Sequence, residues 1–132
     1  MAIPPDFIIA VVDDDPRILE SLGNLFESAD YAVRLFALAA TLLESGCLAE
    51  IDCLVSDIGM PGMDGLELVR MVQTARPGLP TIFITARSDA LNVLPSINLG
   101  RYRLFKKPFD GQELLAAVGD ALRSPQLHTP KA

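Results

Sequence analysis

Phe7 to Val12 (FIIAVV) is an unbroken apolar run that stops at three consecutive aspartates, Asp13, Asp14 and Asp15. A strand with one wet face alternates apolar and polar residues; an unbroken run marks a strand covered on both faces, as in a parallel sheet. The chain therefore has to build a covered central strand that delivers carboxylates at its carboxyl end. Pro16 suits the first helical position behind an aspartate N-cap. Ile18, Leu19, Leu22, Leu25 and Phe26 then recur at helical spacing. The opening unit reads strand, acidic turn, helix.

The same grammar recurs down the chain. Tyr31 to Phe36 reads as a second strand and Ala37 to Ser45 as a short helix stopped by Gly46. Asp52 to Ser56 reads as a third strand that ends at Asp57, followed by a Gly-, Met- and Pro-rich loop from Ile58 to Asp64. Gly65 to Ala75 is expected to be helical, ended by Pro77 and Gly78. Pro80 to Thr85 reads as the fourth strand. Ala90 to Leu99 forms a weak fourth helix, because Pro95 removes a backbone donor and crowds the preceding turn. Tyr102 to Phe105 is a short fifth strand. Asp110 to Arg123 is the last helix, with Leu114, Leu115, Val118 and Leu122 on one face. Strands alternating with helices imply right-handed crossovers and an α/β fold with a parallel sheet covered on both sides.

Composition limits what such a fold can do. A chain of 132 residues, half of them apolar, is enough for one domain with a sizeable core. The formal charge of −6 argues against a dedicated nucleic-acid binder, which needs a basic surface, and suits a cation or a basic partner at an acidic site. The two cysteines, Cys47 and Cys53, read as thiols in a reducing compartment. No apolar run has the length of a membrane span, and the first residues lack the charged start of a signal peptide. A soluble, cytoplasmic protein is expected. Ser124 to Ala132 is polar with two prolines and reads as a tail or the start of a linker, leaving residues 1–123 as the domain. His128 lies in that tail and reads as a solvated side chain.

Open α/β sheets bind ligands outside the carboxyl ends of their strands. Here those ends carry Asp13, Asp14 and Asp15, then Asp57, then Thr85, then Lys106 and Lys107 before Pro108. Several carboxylates gathered at one site repel one another, and a divalent cation removes that cost. All-oxygen ligands with room for water favour Mg²⁺ over Ca²⁺. Lys107 and the Thr85 hydroxyl suit the remaining oxygens of a phosphoryl group. Asp57 is the best nucleophile for an aspartyl-phosphate, alone at the end of a central strand beside a loop. Singly, most of these residues have plainer uses. Asp15 reads as a helix cap, Lys106 as a solvated charge, Asp64-Gly65 as a turn, and Met60 and Met63 as loop packing. Together at four strand ends they point to phosphate chemistry.

These residues make the chain resemble the receiver domain of two-component response regulators. The matching stretches are VVDDDP (11–16), VSDIGMPGMDGLEL (55–68), FITAR (83–87) and KKPFDGQEL (106–114), within a resemblance that covers residues 7–123. The first sixty-five residues look like receivers that precede LuxR-type DNA-binding domains. The resemblance implies a flavodoxin-like, doubly wound, five-stranded parallel sheet of order 2-1-3-4-5 with five helices. It implies that Asp57 accepts a phosphoryl group from a histidine kinase. Asp13 and Asp14 would place Mg²⁺, with Asp57 and the backbone carbonyl of Gly59 completing the ligands. Thr85 would be the switch hydroxyl, Lys107 the phosphate-pairing lysine, and Pro108 the proline whose preceding peptide is often cis.

Three departures from the family pattern fall on one surface. Leu104 stands where the family carries an inward-turning Tyr or Phe; Tyr102, two residues earlier on the same strand face, reads either as a stand-in or, more plainly, as an edge aromatic that packs locally. Pro95 interrupts the fourth helix. Arg101 and Arg103 replace small and acidic residues before and in the fifth strand. An altered output face is expected there, a basic patch for an acidic partner, against the plainer reading of a solvated charge cluster. In this family Gly59 and Arg87 flank the path of hydrolytic water and tune phosphoryl lifetime. The expected partners are a sensor histidine kinase or phosphotransfer protein and an output partner or domain reached through the fourth helix and fifth strand. A phosphorylation-dependent dimer is compatible, whereas a membrane or direct nucleic-acid contact is not expected.

Rival readings survive to different degrees. A haloacid dehalogenase-like phosphatase would use Asp13 as nucleophile and Asp15 as acid/base, but no late acidic cluster follows Lys107. A flavodoxin-like FMN carrier is excluded because DDDPR would repel a phosphate. A receiver that signals without phosphorylation is kept open by Leu104.

Overall fold

A computed structural model describes residues 7–57, 65–85, 102–107 and 109–123, without the side chains of residues 65, 66, 69, 73, 102–104 and 123. The five strands are β1 (Ile8–Val12), β2 (Ala32–Phe36), β3 (Cys53–Asp57), β4 (Thr81–Thr85) and β5 (Tyr102–Lys106). The helices are α1 (Pro16–Ser28), α2 (Ala39–Ser45), α3 (Gly65–Ala75) and α4 (Gly111–Arg123), with one 3₁₀ turn at Cys47–Ala49. The sheet is wholly parallel in the order β2-β1-β3-β4-β5, as the family resemblance implied. The expected helix over Ala90–Leu99, with Pro95, lies outside the described residues.

Strand alternation divides the core into two layers. Ile9, Val11, Cys53, Val55, Ile82 and Ile84 face α1 and α4, where they meet Leu22, Phe26, Leu114 and Val118. Ala10, Val12 and Leu54 face the other way, onto Ala39 and Leu42 of α2 and Leu68 and Val72 of α3. Each aliphatic side chain fully buried in such a layer stabilises the fold by roughly 1.5–3 kcal/mol. The unbroken apolar character of β1 and β3 is thus explained: successive residues serve opposite layers.

Local chemistry sets the element ends. Asp15 caps α1 by accepting a hydrogen bond from the Arg17 amide at 2.9 Å, and Pro16 takes the first helical position, as the sequence predicts. The far end is a Schellman closure: Tyr31 N–H donates to Phe26 O at 3.1 Å and Asp30 N–H to Glu27 O at 3.0 Å. Asp30 takes φ 71°, the left-handed conformation this closure needs. The Phe26 and Tyr31 rings meet edge-on with centroids 6.4 Å apart, sealing the turn. Tyr31 therefore belongs to the helix end and not to β2.

Asp52 likewise stands just before β3. Its amide donates to Ile8 O at 2.7 Å and its carboxylate accepts from Ile8 N at 2.8 Å, tying β3 to the start of β1. Asp110 caps α4 through the Gln112 amide at 2.8 Å instead of being its first residue. Gly46 ends α2 at φ 79°. The Arg76 guanidinium donates to the carbonyls of Leu48 and Ile51, pinning the 3₁₀ turn against the end of α3.

Candidate functional site

Of the predicted residues, Asp13, Asp14, Asp57, Thr85 and Lys107 stand at the carboxyl edge of the sheet. Asp13 follows β1, Asp57 ends β3, Thr85 ends β4, and Lys107 follows β5. Asp13 and Thr85 are fully buried, and Asp57 is only 7% exposed. Asp14 is exposed. One carboxylate oxygen from each of Asp13, Asp14 and Asp57 lies within 4.8 Å of the others.

Backbone ties hold these side chains in place. The Asp13 amide donates to Phe36 O at 3.1 Å, so the residue after β1 is still tied to the last residue of β2. The Asp15 amide donates to Asp13 Oδ1 at 2.9 Å. Asp15 thus serves twice: its side chain caps α1, and its N–H orients Asp13. The sequence reading found the cap and missed the second contact, which only the tight turn after β1 creates. The Lys107 amide donates to Thr85 O at 2.7 Å, which fixes the start of the Lys107 side chain beside the end of β4. Its Nζ donates to Asp13 Oδ2 at 3.0 Å and to Asp57 Oδ2 at 3.5 Å. One ammonium therefore bridges two buried carboxylates.

The electrostatics follow from that count. Burial pushes the Asp13 carboxyl above its ordinary value, and the neighbouring Asp57 charge adds to the rise; the Asp15 amide and Lys107 only partly offset it. Burial lowers the Lys107 ammonium, but the Asp13 hydrogen bond and the charges of Asp57 and Asp13 outweigh that and leave it raised. Both directions fit the geometry, since Asp13 is wholly enclosed and the Lys107 side chain keeps 20% exposure. Among the described residues, one ammonium faces three carboxylates. Asp15, two residues away, shifts the opposite way: the Arg17 amide and guanidinium hold its carboxyl below the ordinary range. The donor set Asp13, Asp14 and Asp57 is all oxygen, partly open to water through Asp14, and carries excess negative charge. That is the chemistry a hard divalent cation such as Mg²⁺ accepts.

Several predicted positions lie outside the described residues: Gly59, Met60, Met63, Arg87, Pro95, Arg101 and Pro108. For Tyr102, Arg103 and Leu104 the backbone alone is described. It places them in β5 opposite Thr81, Ile82 and Phe83.

Fold and site together define a class: small doubly wound α/β domains with an acidic pocket and a lysine at the carboxyl edge of the sheet. Within that class, the model of the response regulator receiver domain matches residues 9–119, and the chain belongs to that family. It is 33% identical over 115 residues to the transcriptional regulatory protein FixJ of Bradyrhizobium diazoefficiens, covering 87% of this chain and 56% of FixJ. It is 34% identical over 116 residues to the response regulator protein TodT of Pseudomonas putida, covering 88% of this chain and 51% of TodT. The chain thus spans about half the length of the curated relatives it matches. Among solved structures, a CheY-like receiver domain protein from Methanospirillum hungatei superposes with a TM-score of 0.80 at 29% identity, covering 89% of this chain and 94% of the other. The BeF3-activated receiver domain of DrrB superposes at 0.81 with 30% identity, covering 91% and 100%. The chain is a two-component receiver domain. No helix among the described residues is long and apolar enough to cross a membrane.

Proposed function

We propose that Asp57 is the phosphoacceptor of this receiver and that residues 1–123 form the switching unit. The observation that carries this reading is the position of Asp57. It is a nearly buried carboxylate at the end of the central strand β3, with Lys107 Nζ 3.5 Å away. In the transfer, an Asp57 carboxylate oxygen forms the new bond to phosphorus. The bond from phosphorus to the imidazole nitrogen of a histidine kinase or phosphotransfer protein breaks, and its electron pair stays on that nitrogen. Such a reaction needs positioning and charge neutralisation more than covalent help. Lys107 already lies between Asp13 and Asp57, and its Nζ donates to a phosphoryl oxygen once Asp57 carries the acyl phosphate. The Thr85 hydroxyl, at the end of the neighbouring strand, donates to another. A Mg²⁺ ion held by Asp13, Asp14, Asp57 and the Gly59 carbonyl would supply Lewis-acid neutralisation of the phosphoryl charge when bound.

The domain in this reading is a cytoplasmic switch and not a turnover enzyme. Phosphorylation recruits Thr85 and Lys107 and shifts an equilibrium between two conformations, which an output partner or effector domain reads. The expected output face comprises residues 90–99 and β5, with Leu104, Tyr102, Pro95, Arg101 and Arg103. FixJ and TodT, regulators about twice the matched length, support an attached effector. The test is intact mass after incubation with Mg²⁺ and a small acyl phosphate. A Mg²⁺-dependent adduct that Asp57→Asn abolishes supports the reading. No adduct on the wild-type chain would leave a receiver that works through protein contact alone.

A further inference from the structure

Among the described residues, the outer strand β2 keeps large apolar side chains exposed beside one surface ion pair, Arg34 with Glu50 at 3.8 Å. Of the large hydrophobic side chains exposed among the described residues, Phe7, Leu35, Leu38 and Met71, three line this edge strand. Phe7 pairs through its carbonyl with Ala32 at the start of β2, Leu35 lies within it, and Leu38 follows it. Leu38 also occupies the N-cap of α2 and makes no side-chain cap bond there, where Ser or Asp would stabilise the helix.

Between α1 and β2 this edge opens into a groove of about 310 Å³. Its walls are Leu19 on α1 and Val33 and Leu35 on β2, and its floor is Gly23. A Cβ on Gly23 would meet the Leu35 side chain at 3.4 Å, so glycine keeps the floor low. Glu20 and Glu27 form the rim, both exposed and neither paired with a described cation. They stand two helical turns apart, about 10 Å along α1.

We propose that this groove docks an amphipathic helix of a partner protein, apolar on the seated face and basic on its flanks. Charge complementarity selects the occupant. A second copy of the chain would bring the same two glutamates and repel, as would nucleic acid or an anionic membrane. Lys or Arg residues two turns apart on the partner match Glu20 and Glu27, while its Leu or Phe anchors fill the space above Gly23. The groove is too small to enclose a helix, so the partner lies on the edge and inserts side chains only. This docking site is independent of the Asp57 reading.

The test is amide chemical-shift mapping on the full ¹⁵N-labelled chain with two synthetic helical peptides. One carries Leu on a single face and Lys on its flanks; the other replaces every Lys with Glu. The expected result is saturable binding of the Lys peptide, with shifts concentrated between residues 16 and 38. The Glu peptide should bind at least about tenfold more weakly, and the double variant Glu20→Lys, Glu27→Lys should lose about tenfold for the Lys peptide at low salt. Gly23→Ala, which raises the floor, should weaken it further. Shifts confined to Asp13, Asp14 and Asp57 would overturn the proposal, as would equal binding of both peptides or no saturation. Binding of anionic phospholipid vesicles at the same edge without a peptide response would overturn it in favour of a membrane.

Discussion

Strands β3 and β2 have the same length, lie in the same parallel sheet and both pair with β1. Every residue of β3 is buried, including Ser56 and Asp57, whereas none of β2 is. The same contrast repeats over two residues at the end of β1. Asp13 is sealed in and its carboxyl is raised by burial; Asp15 caps a wet helix start and its carboxyl is lowered by hydrogen bonds. The proposed chemistry lies where the sheet is least solvated, and the proposed docking surface lies along its exposed outer strand. Ionised carboxylates in the first region cost stability that a bound cation can return.

The largest effect expected from this contrast is on packing. Leu54→Ala in β3 should cost about 2–5 kcal/mol, because it opens a cavity in a closed layer. Leu35→Ala in β2, at 44% exposure, should stay within about 0.5 kcal/mol. Urea midpoints measure both, and equal losses would mean that β2 is not the wet edge described.

Asp13→Asn is next, and its sign is the informative part. The folded carboxyl titrates above the ordinary 3.8, so the cost of ionising it is complete above its folded value and absent below the unfolded one. With chelator present, the substitution should raise Tm by a few degrees at neutral pH. The gain should fade as pH falls towards about 4. Added Mg²⁺ should stabilise the wild-type chain and should stabilise the variant much less.

Asp15→Ala should act in the opposite direction and more weakly, lowering Tm at neutral pH through the lost cap. Its folded carboxyl titrates low, so its contribution is present near neutrality and is lost as pH falls through that value. The difference between variant and wild type should therefore close on acidification.

The two cysteines give the mildest probe. Burial pushes the Cys53 thiol up to about 12, while Cys47 is partly exposed. Alkylation slightly above neutral pH should modify Cys47 and spare Cys53 until the chain unfolds. Rapid double modification would show that the layer over β3 opens readily.

Much of this architecture was legible in the residues. FIIAVV ending in DDD announced a covered strand with acidic ends, and Asp15-Pro16 announced the start of α1. The errors were local and physical. Tyr31 looks like a strand residue because it is aromatic beside apolar neighbours, yet its N–H is needed to close α1. The start of α2 carried no cap signal, because Leu38 sits there. The 3₁₀ turn at Cys47–Ala49 depends on Arg76, far along the chain, and periodicity cannot see it. Site membership was readable from strand ends, whereas the separate environments of Asp13, Asp14 and Asp15 were not. Those depend on the tight turn after β1 and on Lys107 arriving from β5. The groove was invisible for the same reason: its two walls come from α1 and β2, and only the folded edge brings Gly23 under Leu35.

The decisive question is which carboxylate takes the phosphoryl group. The direct measurement is reductive trapping: the chain is incubated with Mg²⁺ and acetyl phosphate, treated with borohydride to convert any acyl phosphate to the alcohol, and mapped by peptide mass. A single modified residue, Asp57, is expected, with Asp13 and Asp14 untouched. Modification of Asp13 instead would make β1 the nucleophilic strand and contradict the assignment of the buried end of β3 as the acceptor.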